Sequence, residues 1–170
     1  MGARKSFCFV TGLFVIMVWI WGFAAPALSE TLKCKSETKD GVRVQEQADT
    51  SYFITIVTKE GSVTCENGET ADVKTYSLAE ANWPRDAFVQ TITIYRFNKD
   101  WAKIITKGNL VQTQDPKGEA EWIWEGTSEI IRGTGRFSGI KGGVSFKGKQ
   151  VPPDAKSISE FTINYSLPPK

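Results

Sequence analysis

Histidine is absent from the 170-residue sequence, and its absence excludes several kinds of chemistry. Without an imidazole the chain has no Ser-His-Asp triad, no Cys-His dyad and no histidine-based metal cluster. The kinds of catalysis that remain possible are acid-base chemistry by a carboxylate or a tyrosine, and catalysis by confinement alone. We therefore expect neither a metal ion nor a cofactor, and the sequence assigns no catalytic residue.

Charge is missing from one long stretch near the start of the chain. Residues 6–29 carry no charged side chain and follow Arg4 and Lys5, which is the pattern of a secretory signal peptide. Small residues at positions 25–27 provide a cleavage site, so we predict a signal peptide over residues 1–27, with cleavage after Ser29 as the second choice. An uncleaved membrane anchor is the alternative, because an apolar run of about 20 residues can span a bilayer. In either case we expect one domain, residues 28–170, outside the cytosol, secreted or periplasmic.

A basic surface is missing as well. The chain has 21 Lys and Arg against 19 Asp and Glu, and Arg4 and Lys5 leave with the predicted signal peptide, so the mature domain balances at 19 against 19. Nucleic-acid binders need concentrated positive charge to displace counterions from phosphates. We expect no nucleic-acid partner, and no membrane partner unless the N-terminal segment stays uncleaved.

Cysteine is rare, and its few positions favour a disulfide. Of three cysteines, Cys8 lies in the predicted signal peptide, which leaves Cys34 and Cys65 in a compartment where disulfides persist. Closing a loop of this length stabilises a fold by about 3.5 kcal/mol in the chain-entropy model. Two free buried thiols or a metal pair are the alternatives, although two thiols alone do not make a zinc site.

Long runs at helical spacing are lacking, and alternation with period two takes their place. Segments rich in β-branched and aromatic residues predict six strands, at residues 52–59, 87–97, 101–107, 119–132, 143–149 and 158–167. Turn signals separate them, at Glu60-Gly61, Asn67-Gly68, residues 98–100, Gly108-Asn109, residues 115–118 and residues 151–154. One helical turn is expected over residues 78–88, where Pro84 keeps it short. Strands at this spacing favour an antiparallel sandwich or a closed barrel.

The alternation also predicts which faces are buried. Trp122 and Trp124 share one face of their strand, while glutamates occupy the other, so one side is expected to meet an apolar interior. In residues 87–97 both faces are partly apolar. That strand is therefore expected to pack on both sides, against the interior and against a helix or a neighbouring subunit.

Five glycines lie between Ile130 and Phe146, in the stretch IIRGTGRFSGIKGGVSF. The spacing G-x-G-x-x-x-G differs from a dinucleotide fingerprint, and no Gly-Lys-Ser/Thr ending is present to cradle a phosphate. We interpret the stretch as a corner of the backbone. Its structural residues are Gly133, Gly135, Phe137, Gly139 and Gly142. Phe137 and Ile140 are expected to plug one end of a barrel, with Arg136 and Lys141 in solvent.

The segment WEGTSEIIRGTGRFSGIKGGVSFKG resembles the strand, turn and strand of allene oxide cyclase barrel-like proteins, a group that includes the dirigent proteins. The resemblance is best over Trp122 to Gly148. It implies an all-β fold, an eight-stranded antiparallel β-barrel with an apolar lumen, often assembled as a trimeric homo-oligomer. In the enzymes of this group it implies a cavity that controls how a reactive lipophilic molecule cyclises or couples, but their catalytic carboxylates align with no position here.

Three hypotheses about function follow. The first is a binding module whose lumen holds a small apolar or aromatic molecule, with the lumen candidates Tyr95, Trp101, Trp122, Trp124 and Phe146, and Arg132 as a polar contact. A lumen filled by these side chains is the alternative. The second is a cyclase or isomerase that uses Glu129 or Tyr95 with a pKa raised by burial. The third is a structural or interaction protein that uses its outer face.

Overall fold

Eight strands follow one another along the chain and close into a barrel. The computed structural model describes residues 29–47, 49–50, 52–82, 86–117, 122–151 and 156–169. The strands are β1 Ser29–Gln47, β2 Tyr52–Cys65, β3 Thr70–Asn82, β4 Asp86–Phe97, β5 Lys103–Gln114, β6 Trp122–Gly133, β7 Lys141–Val151 and β8 Lys156–Ser166. Each pairs antiparallel with its neighbours in sequence, and β1 also pairs with β8. The all-β, eight-stranded antiparallel barrel is thus confirmed.

The predicted signal peptide, residues 1–27, lies outside the described residues. Within the described ranges, the chain contains no helix of sufficient length and hydropathy to cross a membrane.

The strands differ from the sequence prediction in three respects. β1 and β3 are not among the six predicted strands, and the helical turn expected over residues 78–88 is wrong, because residues 78–82 continue β3. Gly61 and Gly108 lie within β2 and β5 instead of in turns. A Cβ atom on Gly61 would lie 1.9 Å from a carbonyl oxygen of β1, so glycine there lets the neighbouring backbone approach closely and the wall bend.

The hydrophobic core fills only one half of the barrel. Its members come from the start of each odd strand, from the ends of β2, β4 and β8, and from the β4–β5 and β6–β7 connections. They therefore lie near one end, which we call the plugged end. The largest fully buried side chains there include Phe97, Ile104, Val63 and Ile163. Many inward positions towards the far end carry Ser, Thr or Ala instead, and these small side chains leave space in the lumen.

The glycine-rich connection between β6 and β7 forms the plug. Its centre is a short 3₁₀ turn over Gly135–Phe137, and Phe137 is 2% exposed. The Phe137 ring lies 4.9 Å from the Phe97 ring, centroid to centroid. Gly135 and Gly139 have φ of +61° and +77°, the left-handed region that favours glycine. Ile140 is buried beside Phe137, so this corner closes the end of the barrel with its own side chains.

Arg136 covers the plug from the solvent side. Its guanidinium lies 4.6 Å from the Phe137 ring centroid and forms ion pairs with Glu69 and Asp100. The arginine was expected in solvent and its side chain is indeed about one third exposed, but it is held in place by two carboxylates. It therefore ties the plug to the β2–β3 and β4–β5 turns.

Cys34 and Cys65 face each other across β1 and β2, and their sulfur atoms are 2.00 Å apart, within disulfide distance. Both are buried in the core at the plugged end. The cross-link therefore joins the first strand to the second within the core.

Candidate functional site

The far half of the lumen contains a cavity of about 470 Å³. This volume falls in the range of small-molecule sites, about 300–1,000 Å³. All eight strands contribute to its lining, mainly through inward-facing side chains. Small side chains on β3 and β4 keep the space free, namely Ser77, Ala79, Ala81 and Ala87. The core residues Tyr95 and Phe161 lie at its floor, where the plugged half begins.

Aromatic side chains form one part of the cavity wall. Trp122 and Trp124 project inward from β6, and Phe146 projects from the neighbouring strand β7. All three are only partly buried, so their rings face the space as well as the protein. At the floor, the Tyr95 and Phe161 rings lie 5.2 Å apart, centroid to centroid. The arrangement offers aromatic faces to a molecule in the lumen.

An ion pair lies on the opposite part of the wall. Lys59 of β2 and Asp40 of β1 are directly paired in register, and Lys59 Nζ lies 2.8 Å from Asp40 Oδ1. The same ammonium donates a hydrogen bond of 2.6 Å to Ser157 Oγ of β8 and lies 5.4 Å from the Trp124 ring centroid. Lys59 therefore connects the polar and aromatic parts of the cavity.

Arg43 shares the same carboxylate. After Asp40 the register of β1 shifts, and this irregularity turns Arg43 towards the lumen. Arg43 Nη2 donates a 2.8 Å hydrogen bond to Asp40 Oδ2. Burial alone would raise the pKa of Asp40, but the hydrogen bonds and charges of Lys59 and Arg43 outweigh it and hold the pKa below its ordinary value. The carboxylate therefore stays ionised, and its stabilising effect is lost only as the pH falls through this lowered pKa.

The charges around the cavity do not balance. Among the described residues that line it, the charged ones are Arg43 and Lys59, both cations. Asp40 lies behind them, and its carboxylate contacts both. Among the residues that the structure describes, two cations and one anion give this part of the lumen a net charge of +1.

The structure places the lumen candidates in two groups. Tyr95, Trp122, Trp124 and Phe146 line the cavity. Trp101 instead lies in the β4–β5 connection, where it is 69% exposed and has a φ of +57°. The Arg96 guanidinium lies 5.9 Å from its ring centroid. Arg132 is exposed on the outer face, paired with Ile105 next to an irregularity between β5 and β6. The residues that the sequence did not single out are Asp40, Arg43 and Lys59.

The two acid-base candidates differ in position. Glu129 is exposed on the outer face of β6 and is not among the residues that line the cavity. Tyr95 lies at the cavity floor, where burial raises the pKa of its phenol. The phenol therefore keeps its proton at neutral pH and can donate a hydrogen bond, but it is not a base. Among the described residues, no group of three His, Cys, Asp or Glu side chains is arranged to hold a metal ion.

The outer wall has features of its own. A shallower and larger depression of about 980 Å³ crosses several strands, and its outward-facing lining mixes lysines and glutamates. Because this depression is open to solvent, it encloses a ligand less than the lumen does. Its lysines and glutamates also balance in charge. On the β1–β4 side, neighbouring strands expose apolar side chains, including Val44, Ile56, Leu78, Tyr76 and Ile92.

Comparison with known proteins identifies no family. No protein-family model matches the chain, and no curated protein matches it in sequence. The function is therefore inferred from the closed eight-stranded barrel and the geometry of its lumen.

Proposed function

We propose that this protein is an extracytoplasmic β-barrel that binds one small apolar or aromatic molecule in its lumen. The observation that carries the proposal is the cavity of about 470 Å³ above the plugged core. A barrel of this size can be filled by side chains or can hold one small ligand. Here one half is filled and the other is not, and the unfilled half has aromatic rings on its wall.

The extracytoplasmic location is part of the proposal. It is supported by the cysteine pair at disulfide distance, because such cross-links persist in oxidising compartments. The charge-free segment after Arg4 and Lys5 supports it as well.

The proposal includes the resemblance to allene oxide cyclase barrel-like proteins, which the closed eight-stranded barrel supports. It does not extend to their catalysis. The cavity contains the Tyr95 phenol, which stays protonated, and the Asp40 carboxylate behind its wall is held ionised by two cations, so neither is a base suited to neutral pH. The exposed apolar side chains of the outer wall favour a second candidate, an interaction barrel that functions through its surface.

Titration with a neutral lipophilic fluorophore, phenyl-naphthylamine, tests the binding proposal. We expect saturable binding, a blue-shifted emission and energy transfer from tryptophan, because Trp122 and Trp124 line the cavity. Replacing Ala79, which faces the lumen, by phenylalanine fills part of the space. The affinity of the Ala79→Phe variant is expected to fall at least about tenfold, a loss of about 1.4 kcal/mol.

The matched control changes the adjacent residue, whose side chain points the other way. Leu78 is 37% exposed on the outer face of β3, so Leu78→Phe adds a ring outside the barrel and is expected to leave the affinity unchanged. Equal affinities of Ala79→Phe, Leu78→Phe and the unchanged protein would place the fluorophore on the surface and favour the interaction barrel. Circular dichroism checks that both variants keep the strand content.

A further inference from the structure

The unequal charge of the cavity wall is the feature that the proposed function does not use. Arg43 and Lys59 face the lumen from β1 and β2, and the two share one carboxylate, that of Asp40. In a partly enclosed site an uncompensated charge is screened less than at the surface. A molecule that places a negative group beside these cations restores the balance.

We infer that the lumen selects an amphipathic molecule with one anionic head group and an apolar, aromatic-sized body. This inference rests on the proposed function and names the class of ligand. The head group would lie beside Arg43 and Lys59, and the body would occupy the space between Trp124 and the small side chains of β3 and β4.

The donors needed for such a head group are present. A guanidinium has five N–H donors and an ammonium has three. Within the described part of the chain, Arg43 gives one hydrogen bond, to Asp40, and Lys59 contacts Asp40 and Ser157. Arg43 is about half exposed, so its remaining donors can turn to a ligand without breaking a buried contact. Hydrogen bonds between ionised groups are roughly twice as strong as those between neutral groups.

The positions of the body and the head group fit one molecule. Lys59 Nζ lies 5.4 Å from the Trp124 ring centroid, so a ring that lies against the indole brings a substituent close to the ammonium. The wall made by Ala79, Ala81 and Ala87 has no charged group and suits the other side of the ring. A cationic ligand would instead meet two like charges, which is unfavourable.

Three naphthalene derivatives of matched size test the inference by displacing the neutral fluorophore at neutral pH. They carry a carboxylate, a carboxamide or an aminomethyl group, and are anionic, neutral and cationic respectively. We expect the carboxylate to bind at least about tenfold more tightly than the carboxamide, and the amine to bind most weakly. In Arg43→Gln the preference for the carboxylate is expected to shrink to about twofold, while the affinity for the carboxamide stays unchanged.

Two further variants test whether the preference for the carboxylate comes from the cations in the lumen. Lys74 carries the same charge on the outer face of β3, paired with Glu60, so Lys74→Gln is expected to leave the preference intact. Lys59→Gln removes the second cation and is expected to act in the same direction as Arg43→Gln. Arg43 is the more exposed of the two, so its variant remains informative if the change at Lys59 disturbs folding.

The possible results separate this inference from the proposed function. Equal binding of carboxylate and carboxamide by the unchanged protein would overturn the anionic preference and leave lumen binding intact. A preference that Lys74→Gln reduces as much as Arg43→Gln does would also overturn it, since overall charge would then be the cause. If neither the fluorophore nor any naphthalene binds, both the inference and the proposed function fail.

Discussion

Replacing Phe137 by alanine is expected to lower the free energy of unfolding by about 3–5 kcal/mol, the usual cost of truncating a buried phenylalanine. Phe137 is 2% exposed at the centre of the plug. Its ring contacts Phe97 and Tyr165 and lies under the Arg136 guanidinium. Removing it leaves a void that the surrounding strands cannot close, because their positions are fixed by pairing around the barrel. Urea unfolding followed by circular dichroism measures the change.

Phe88→Ala is the matched control for this prediction. Phe88 is 47% exposed on the outer face of β4, so its truncation is expected to cost less than about 1 kcal/mol. Similar losses for the two variants would show that the glycine-rich corner does not close the barrel with its phenylalanine.

Removal of the cross-link between Cys34 and Cys65 is expected to cost about 3.5 kcal/mol of stability. The two residues are separated by 31 positions, and joining them restricts the unfolded chain more than the folded one. Unfolding of the Cys34→Ala, Cys65→Ala double variant measures the loss. A reductant should bring the unchanged protein close to the stability of the double variant and leave that variant unaffected. Equal stability of the two proteins without reductant would contradict the prediction.

The sequence predicts the strands that are rich in large apolar residues better than β1 and β3, which it misses. β4 is recognised by its β-branched and aromatic residues, which occur on both of its faces. β1 places Ser36, Thr38 and Asp40 inward, and β3 places Thr75, Ser77 and Ala79 inward. Small or polar residues on the inner face remove the period-two hydrophobic signal. The small and polar inward residues that leave space for the cavity are therefore also the reason why β1 and β3 cannot be predicted from the sequence.

The positions of some site residues depend on local shifts of strand register, which the sequence pattern does not predict. Alternation along β6 is enough to place Trp122 and Trp124 on one face, and both line the cavity. Arg132 follows an irregularity between β5 and β6, which reverses the face that simple alternation would give it. The shift after Asp40 has the opposite effect and turns Arg43 inward. Charged residues on a strand are by default expected in water, so the sequence alone could not identify the Lys59 and Asp40 pair.

The crystal structure of the protein soaked with the naphthalene carboxylate tests the central claim most directly. The account predicts one ligand inside the barrel, with its ring against Trp124 and its carboxylate within hydrogen-bond distance of Arg43 or Lys59. A lumen filled by side chains along its whole length, or a ligand found only on the outer wall, would contradict it.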